Sequence, residues 1–114
     1  MFETVLKEGF LLLNIKPKRA TADIAHEFKD LLTKLIEDQD IRKIVVDFSQ
    51  VIFIDSFFLG AMVSCTKKIR LKGGDLRISG LNQTITPIFN LMHLNDVFKI
   101  FDDASQAEAS FSEA

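Results

Sequence analysis

Residues 43–60 read KIVVDFSQVIFIDSFFLG, and this run contains the sharpest change of pattern in the chain. The segment from Lys43 to Phe48 is nearly continuous in β-branched and other apolar residues, which is typical of a strand covered on both faces. From Ser56 to Leu71 the apolar residues recur at helical spacing and form a broad stripe. A buried strand that is soon followed by an amphipathic helix predicts one strand–helix unit of an α/β fold.

Upstream of this unit the pattern predicts two short strands and a loop. The strands cover residues 4–8 and 10–15 and are hinged at Gly9. A basic loop of residues 16–19 follows, and Pro17 is expected to keep it out of any regular element. Because the second strand is the more apolar of the two, we expect it to be the more deeply buried.

A helix over residues 23–38 is predicted to follow the loop, with Thr21 or Asp23 as its cap. Its apolar residues recur at a spacing that places them on one face, so the helix is amphipathic and packs on the sheet. That face consists of Ile24, Phe28, Leu31, Leu32 and Leu35.

Downstream, strands and helices continue to alternate. Gly73-Gly74 ends the helix that begins at Ser56, and a strand over residues 75–79 follows. We then predict a helix over residues 84–92, with Pro87 in its first turn, where proline is tolerated. A short strand over residues 98–101 and a weak terminal helix over residues 103–111 complete the chain.

This order of elements predicts a single α/β domain over residues 1–114. Strands that alternate with helices favour parallel pairing and right-handed crossovers. We therefore expect a mixed, mostly parallel sheet of about five strands, with about four helices mainly on one face. The apolar run of residues 51–54 stays open, since it either extends the sheet edge or leads into a loop.

Composition narrows the class of protein. The chain has 114 residues, 47% apolar and 26% charged, which is typical of a globular domain. A net charge of −2 argues against nucleic acid as a partner, and all eleven aromatic residues are Phe.

The most apolar window, residues 51–65, is shorter than the roughly 20 residues of a spanning helix, so no membrane insertion is expected. A single cysteine and no visible signal peptide favour the cytoplasm.

Few residues suit catalysis or metal binding. His26 and His93 lack partners at metal-ligand spacing, so we predict no metal site. Cys65 lies in an apolar helix and is expected to be buried and inert. Ser56 lacks the glycines of a nucleophile elbow, so we do not expect it to be a catalytic nucleophile. The basic residues between positions 67 and 77 are expected to be solvated, with RNA or lipid binding as the alternative.

Asp55-Ser56 is the most informative pair in the sequence. Ser56 is placed to cap the helix that follows, and a hydroxyl at an exposed helix start also suits a phosphate. Phe57 and Phe58 come next, and two consecutive helical residues cannot both face the core. One of them is predicted to point outward as a docking residue, with Phe58 slightly favoured. The spacing alone does not decide whether Ser56 is only a helix cap or is also a regulatory serine.

The run of residues 46–56, followed by Leu59-Gly60, resembles the signature of STAS domains, the anti-sigma factor antagonists. The resemblance covers about residues 41–105 and is carried further by residues 72–81, 88–91, Leu94 and 97–101. It implies a regulatory binding protein that acts by partner switching, is not an enzyme and needs no cofactor. The expected partners are an anti-sigma factor, which is a histidine-kinase-like serine kinase, and a cognate phosphatase.

The resemblance also implies which residues act. Ser56 matches the phosphorylated serine of the family, and Asp55 matches the acid that precedes it. We expect partner contacts at Asp55, Ser56, Phe57, Phe58 and Leu59. Family members usually have a small residue and then a glycine after the serine, where this chain has Phe57 and Phe58. Members also tend to carry a glycine and an aspartate in the loop between the second strand and the first helix, and the basic loop of residues 16–22 has neither. The alternative is therefore a non-phosphorylated STAS accessory subunit of a transporter or signalling complex.

Overall fold

The computed structural model describes residues 1–112. Its strands are β1 (Phe2–Lys7), β2 (Phe10–Ile15), β3 (Arg19–Ala20), β4 (Lys43–Asp47), β5 (Phe53–Ile54), β6 (Asp75–Ser79) and β7 (Ile100–Phe101). Its helices are α1 (Ala22–Glu37), α2 (Ser56–Leu71), α3 (Thr86–Leu91) and α4 (Ala104–Phe111), with a short 3₁₀ helix at Leu94–Asp96. The predicted elements occur in the predicted order, and β3, β5 and the 3₁₀ helix occur in addition.

A five-stranded sheet forms the centre of the domain, in the order β1-β2-β4-β6-β7. Strands β1 and β2 are antiparallel, and a tight turn at Glu8-Gly9 joins them, where Gly9 has a φ of 90°. The remaining neighbours pair in parallel, as expected for strands connected by helices. The predicted mixed, mostly parallel sheet of five strands is confirmed.

Helices α1 and α2 cover one face of this sheet. Side chains alternate between the two faces of a strand, and the registers place Leu13, Val46 and Ile78 side by side on that face. They are fully buried together with Phe28 and Leu32 of α1. The amphipathic helix predicted from the apolar spacing therefore packs on the sheet as expected.

The terminal helix α4 covers the opposite face. Val45 points there, next to Arg77 in the register, and it is fully buried, as is Ala107 of α4. Arg77 donates a hydrogen bond to Ser110 (2.6 Å) and stacks on Phe111, with 4.1 Å between the guanidinium carbon and the ring centroid. The helix predicted as weak is thus anchored to the sheet by apolar and polar contacts.

Two short elements differ from the sequence prediction. The loop after Pro17 is not wholly irregular, because Arg19–Ala20 pairs in parallel with Phe53–Ile54. The run of residues 51–54 therefore neither extends β4 nor forms a plain loop, but contributes to a separate two-stranded sheet. The predicted strand over residues 98–101 is only the two residues of β7, and Phe98 is a buried core residue instead.

No helix within residues 1–112 is long and apolar enough to span a membrane.

Candidate functional site

The start of α2 is capped by Asp55, not by Ser56 as predicted. Asp55 has an extended backbone conformation, and its Oδ1 accepts a hydrogen bond from the N–H of Phe58 (3.0 Å). Ser56 is the first residue of the helix. The prediction was therefore wrong by one position. Aspartate and serine are both good caps, so residue type alone does not distinguish between them.

Asp55 also binds the start of α1. Its Oδ2 accepts a hydrogen bond from the N–H of Ala22 (2.9 Å), the first residue of that helix. Thr21, one of the two predicted caps, occupies the cap position of α1, but its side chain makes no capping bond. One carboxylate therefore satisfies a backbone donor at the N-terminus of each helix.

Removal of the Asp55 carboxylate should lower the free energy of unfolding more than removal of an ordinary helix cap does. Asp55→Ala leaves two helix-start N–H groups without their acceptor, and we expect a loss of about 2 kcal/mol in the free energy of unfolding. Asp103→Ala is the matched control, because Asp103 caps α4 through one bond, to Gln106 N–H (2.9 Å). Urea unfolding should show about half the loss for the control. Equal losses would contradict the double role of Asp55.

Ser56 is exposed, and its hydroxyl group is not engaged in the fold. Within the described residues 1–112, its Oγ makes no hydrogen bond to another protein group. The backbone N–H groups of Ser56 and Phe57 likewise have no acceptor among those residues. A group attached to Ser56 Oγ would thus lie in solvent, next to two free donors and the positive end of the helix dipole.

The two phenylalanines after Ser56 have opposite environments. Phe58 is fully buried, whereas the side chain of Phe57 is 69% exposed. The prediction that one ring points outward is confirmed, but the preference for Phe58 was wrong. Leu59 is also buried. Of the five residues predicted to bind a partner, Ser56 and Phe57 are exposed, Asp55 is half-buried, and Phe58 and Leu59 are buried.

Exposed apolar residues continue on the segment before Ser56. Ile52 is 50% exposed and Phe53 is 40% exposed. The guanidinium carbon of Arg19 lies 4.3 Å from the centroid of the Phe53 ring, which is a cation–π contact. Sequence reasoning missed Arg19 and Phe53, because neither two-residue strand has a periodic signal.

A shallow groove runs between the first turns of α1 and α2. Its volume is about 300 Å³, and it is lined by Ala22, Ala25, His26, Lys29, Phe57 and Gly60. A Cβ atom added to Gly60 would meet no atom within 4 Å, so the groove is open at this point. The structure thus leaves free space beside Phe57, the residue that follows Ser56.

Three of the other charged candidates in the sequence lie in ion pairs. His26 lies 3.3 Å from Asp30 in an exposed pair one helical turn apart, a neighbour that sequence reasoning overlooked. In the part of the chain described, no three His, Cys, Asp or Glu side chains cluster as metal ligands would. Arg70 and Arg77 of the basic segment both pair with Asp75, at 2.9 and 3.1 Å.

Cys65 is fully buried, as predicted, and burial raises the pKa of its thiol to about 11 from 9.0. Thiolate chemistry is therefore suppressed near neutral pH. Because the unfolded thiol ionises first, the free energy of unfolding should fall as the pH rises from about 9 to about 11. At pH 10 we expect this loss to be about 1 kcal/mol.

Urea unfolding of the wild type and Cys65→Ala, at pH 8 and pH 10, measures this contribution. The variant lacks the thiol, so its stability should fall less over this interval by about 1 kcal/mol. Identical pH dependence for both proteins would show that the thiol does not contribute.

Comparison with known proteins agrees with this architecture. A family model described as the STAS domain matches residues 3–107. The chain belongs to the STAS domain family. The resemblance inferred from residues 46–60 is thereby confirmed.

Individual STAS relatives match over most of their length. A protein of Thermotoga neapolitana, named "Putative anti-sigma factor antagonist TM1081 homolog", is 28% identical over 107 residues, or 94% of each chain. A "Putative anti-sigma factor antagonist" of Thermotoga maritima is 31% identical over 90 residues, which are 79% of this chain and 80% of that protein. A crystal structure from Thermotoga maritima, described in the same words, has a TM-score of 0.86 at 26% identity and covers 98% of this chain and 95% of its own.

Proposed function

We propose that this STAS domain is an anti-sigma factor antagonist whose binding is controlled by reversible phosphorylation of Ser56. The observation that carries the proposal is the placement of Ser56 at an exposed helix start, with a free hydroxyl group. Its role as a cap is taken by Asp55, so modification of Ser56 does not remove a contact that the fold needs. The names of the two Thermotoga relatives support the same class of function.

A phosphate on Ser56 would act mainly on a partner rather than on the fold. It adds close to two negative charges at the N-terminus of a 16-residue helix, where the dipole and the two free N–H groups favour an anion. The carboxylate of Asp55 beside it accepts a hydrogen bond from each helix start, one through each oxygen, and neither bond involves the Ser56 hydroxyl. In a complex, by contrast, the phosphate would be enclosed by a surface shaped for a neutral hydroxyl.

The surface around Ser56 fits a protein partner. Phe57, Phe53 and Ile52 are exposed within four residues of Ser56, and Arg19 stacks on Phe53. Aromatic and arginine side chains are enriched at the energetic centres of interfaces. The groove beside Phe57 gives a partner side chain a place to insert. We infer that the partner is a histidine-kinase-like anti-sigma factor, which also phosphorylates Ser56, and that a phosphatase reverses the reaction.

Transfer of phosphate tests this proposal directly. The purified protein is incubated with ATP and, one at a time, the histidine-kinase-like proteins of the same organism, and the modified residue is mapped by mass spectrometry. We expect phosphate on Ser56 and none on Ser56→Ala. Ser105→Ala is the matched control, because Ser105 is also exposed in the first turn of a helix with an aspartate cap.

Two outcomes would contradict the proposal. Phosphate on another residue would leave Ser56 without the regulatory role. Tight binding of one of these proteins without any phosphate transfer would favour the alternative, a non-phosphorylated STAS accessory subunit. In that case the exposed Phe57 would form part of a permanent contact.

A further inference from the structure

Strand β1 leaves one side of its backbone without a partner within residues 1–112. It is the edge strand of the five-stranded sheet and pairs only with β2. The carbonyl of Met1 accepts a hydrogen bond from the N–H of Lys16 (3.0 Å), and Lys7 and Phe10 flank the two-residue turn. Odd-numbered residues of β1 therefore bond to β2. The N–H and C=O groups of Phe2, Thr4 and Leu6 point away from the sheet.

The edge strand carries two charged residues, Glu3 and Lys7, and is otherwise uncovered by the described residues. Five of its six residues are exposed, including Val5 (39% exposed) and Leu6 (71% exposed). The strand contains no proline, and its pairing with β2 is continuous, without a bulge. Proline and bulges are among the devices that keep an exposed strand edge from pairing with another chain. The edge is thus a template for one more antiparallel strand.

We propose that β1 pairs with β1 of a second copy of this chain, antiparallel and with Val5 opposite the partner's Val5. In this register, Thr4 lies opposite the partner's Leu6, and Leu6 lies opposite the partner's Thr4. The outward backbone groups of the two strands therefore face each other. The two pairs form four hydrogen bonds. The two sheets join into one sheet of ten strands, since each copy contributes five.

The charges of β1 complement themselves in this register. Glu3 lies opposite the partner's Lys7, and the two-fold axis generates a second, identical pair. These are positions without backbone hydrogen bonds between the two strands, where opposite side chains approach most closely. Within one chain, Glu3 lies 3.4 Å from Lys16, and Lys7 lies 3.1 Å from Glu108. The order across the interface is then Lys16, Glu3, the partner's Lys7 and the partner's Glu108, with alternating signs. The charged side chains of the edge thus favour a second copy.

The expected dimer is weak. Pairing of two six-residue strands buries less area than the roughly 1,200 Å² at the lower end of standard interfaces. Sedimentation velocity of the full chain should therefore show monomer at about 5 µM and a growing dimer fraction up to about 1 mM.

Two substitutions test the register. Thr4→Pro removes an outward N–H that β1 does not use for pairing with β2, and proline is tolerated at such edge positions. We expect at least about a tenfold loss of association, with a melting temperature near that of the wild type. Lys7→Glu places like charges opposite each other and should also weaken association about tenfold. The double variant Glu3→Lys with Lys7→Glu restores opposite charges between the two β1 strands, although it loses the pairs with Lys16 and Glu108, and it should associate more strongly than Lys7→Glu alone.

A chain that stays monomeric at about 1 mM would overturn the proposal and leave the edge to a different protein or to solvent. A dimer that is insensitive to both Thr4→Pro and Lys7→Glu would also overturn it, because the copies would then meet elsewhere. Neither result depends on Ser56 or on an anti-sigma factor.

Discussion

Ser56→Asp should weaken binding to the histidine-kinase-like partner by roughly a hundred- to several-thousand-fold, with little change in melting temperature. Ser56 is exposed, so its replacement by a short anion causes no clash within the domain. In the complex, an unpaired anion trapped in the interface costs on the order of 3–5 kcal/mol. At about 1.4 kcal/mol per tenfold change, this cost gives the stated range of affinity. The phosphorylated protein carries more charge and should bind at least as weakly.

Titration calorimetry of the partner with the wild type, Ser56→Asp and the phosphorylated protein measures this effect. Ser105→Asp is the control, because it adds the same charge to the first turn of α4, on the opposite face of the sheet. It should bind like the wild type. Ser56→Ala should bind as the wild type does but resist release, and its melting temperature should change little, since Asp55 holds the cap. Equal affinities for all these forms would refute the switch.

Phe58→Ala should lower the free energy of unfolding by about 3–5 kcal/mol, a large share of the total for a small domain. The Phe58 ring is fully buried, with its centroid 4.8 Å from that of Phe28. Phe28 in turn lies 5.5 Å from Phe2 of the edge strand. Truncation of Phe58 therefore leaves a cavity between α1 and α2 and removes an aromatic contact from a chain of three rings.

Phe57→Ala is the matched control, since it removes the same ring one position earlier. Its side chain is exposed, so we expect a change in stability within about 0.5 kcal/mol. Binding to the partner should weaken by about 2 kcal/mol, or roughly thirtyfold. Urea unfolding compares the stability of both variants with the wild type. Similar losses of stability for the two variants would contradict the assignment of Phe57 to the surface and Phe58 to the core.

Most of the fold was predictable from the sequence, because its long elements carry strong periodic patterns. The 16-residue helices α1 and α2 and the apolar strand β4 begin and end within one residue of their predicted limits. The turn at Gly73-Gly74 and the first-turn position of Pro87 were also correct. Burial of an apolar face dominates these elements, so local pattern and tertiary structure agree.

The elements that sequence reasoning missed depend on contacts between distant residues. Strands β3 and β5 have two residues each and form only because Arg19–Ala20 meets Phe53–Ile54. The choice of Asp55 over Ser56 as the cap follows from the same contact, since the N–H of Asp55 donates to the carbonyl of Ala20 (3.1 Å). No periodic signal in the chain reports a pairing of this kind.

The environment of the two phenylalanines, by contrast, was available in the sequence. Phe58 is in helical phase with Met62, Cys65 and Ile69, all of which are fully buried. Phe57 is in phase with Gly60 and Ser64 instead. A comparison of the residues that share a helical face with each phenylalanine would have placed Phe58 in the core.

The carboxylate of Asp55 has a consequence for how Ser56 is presented to an enzyme. Asp55 bonds to Ala22 and Phe58, and backbone bonds join Lys18 to Ile52 and Phe53, so the segments around residues 20 and 55 are linked across the chain. Local opening of one segment must break bonds of the other, and the two should exchange their amide hydrogens as one cooperative unit. Ser56 is accordingly displayed on an assembled surface rather than on an extended strand. A short synthetic peptide with the same residues would lack that surface and make a poor substrate for an enzyme that recognises the folded domain.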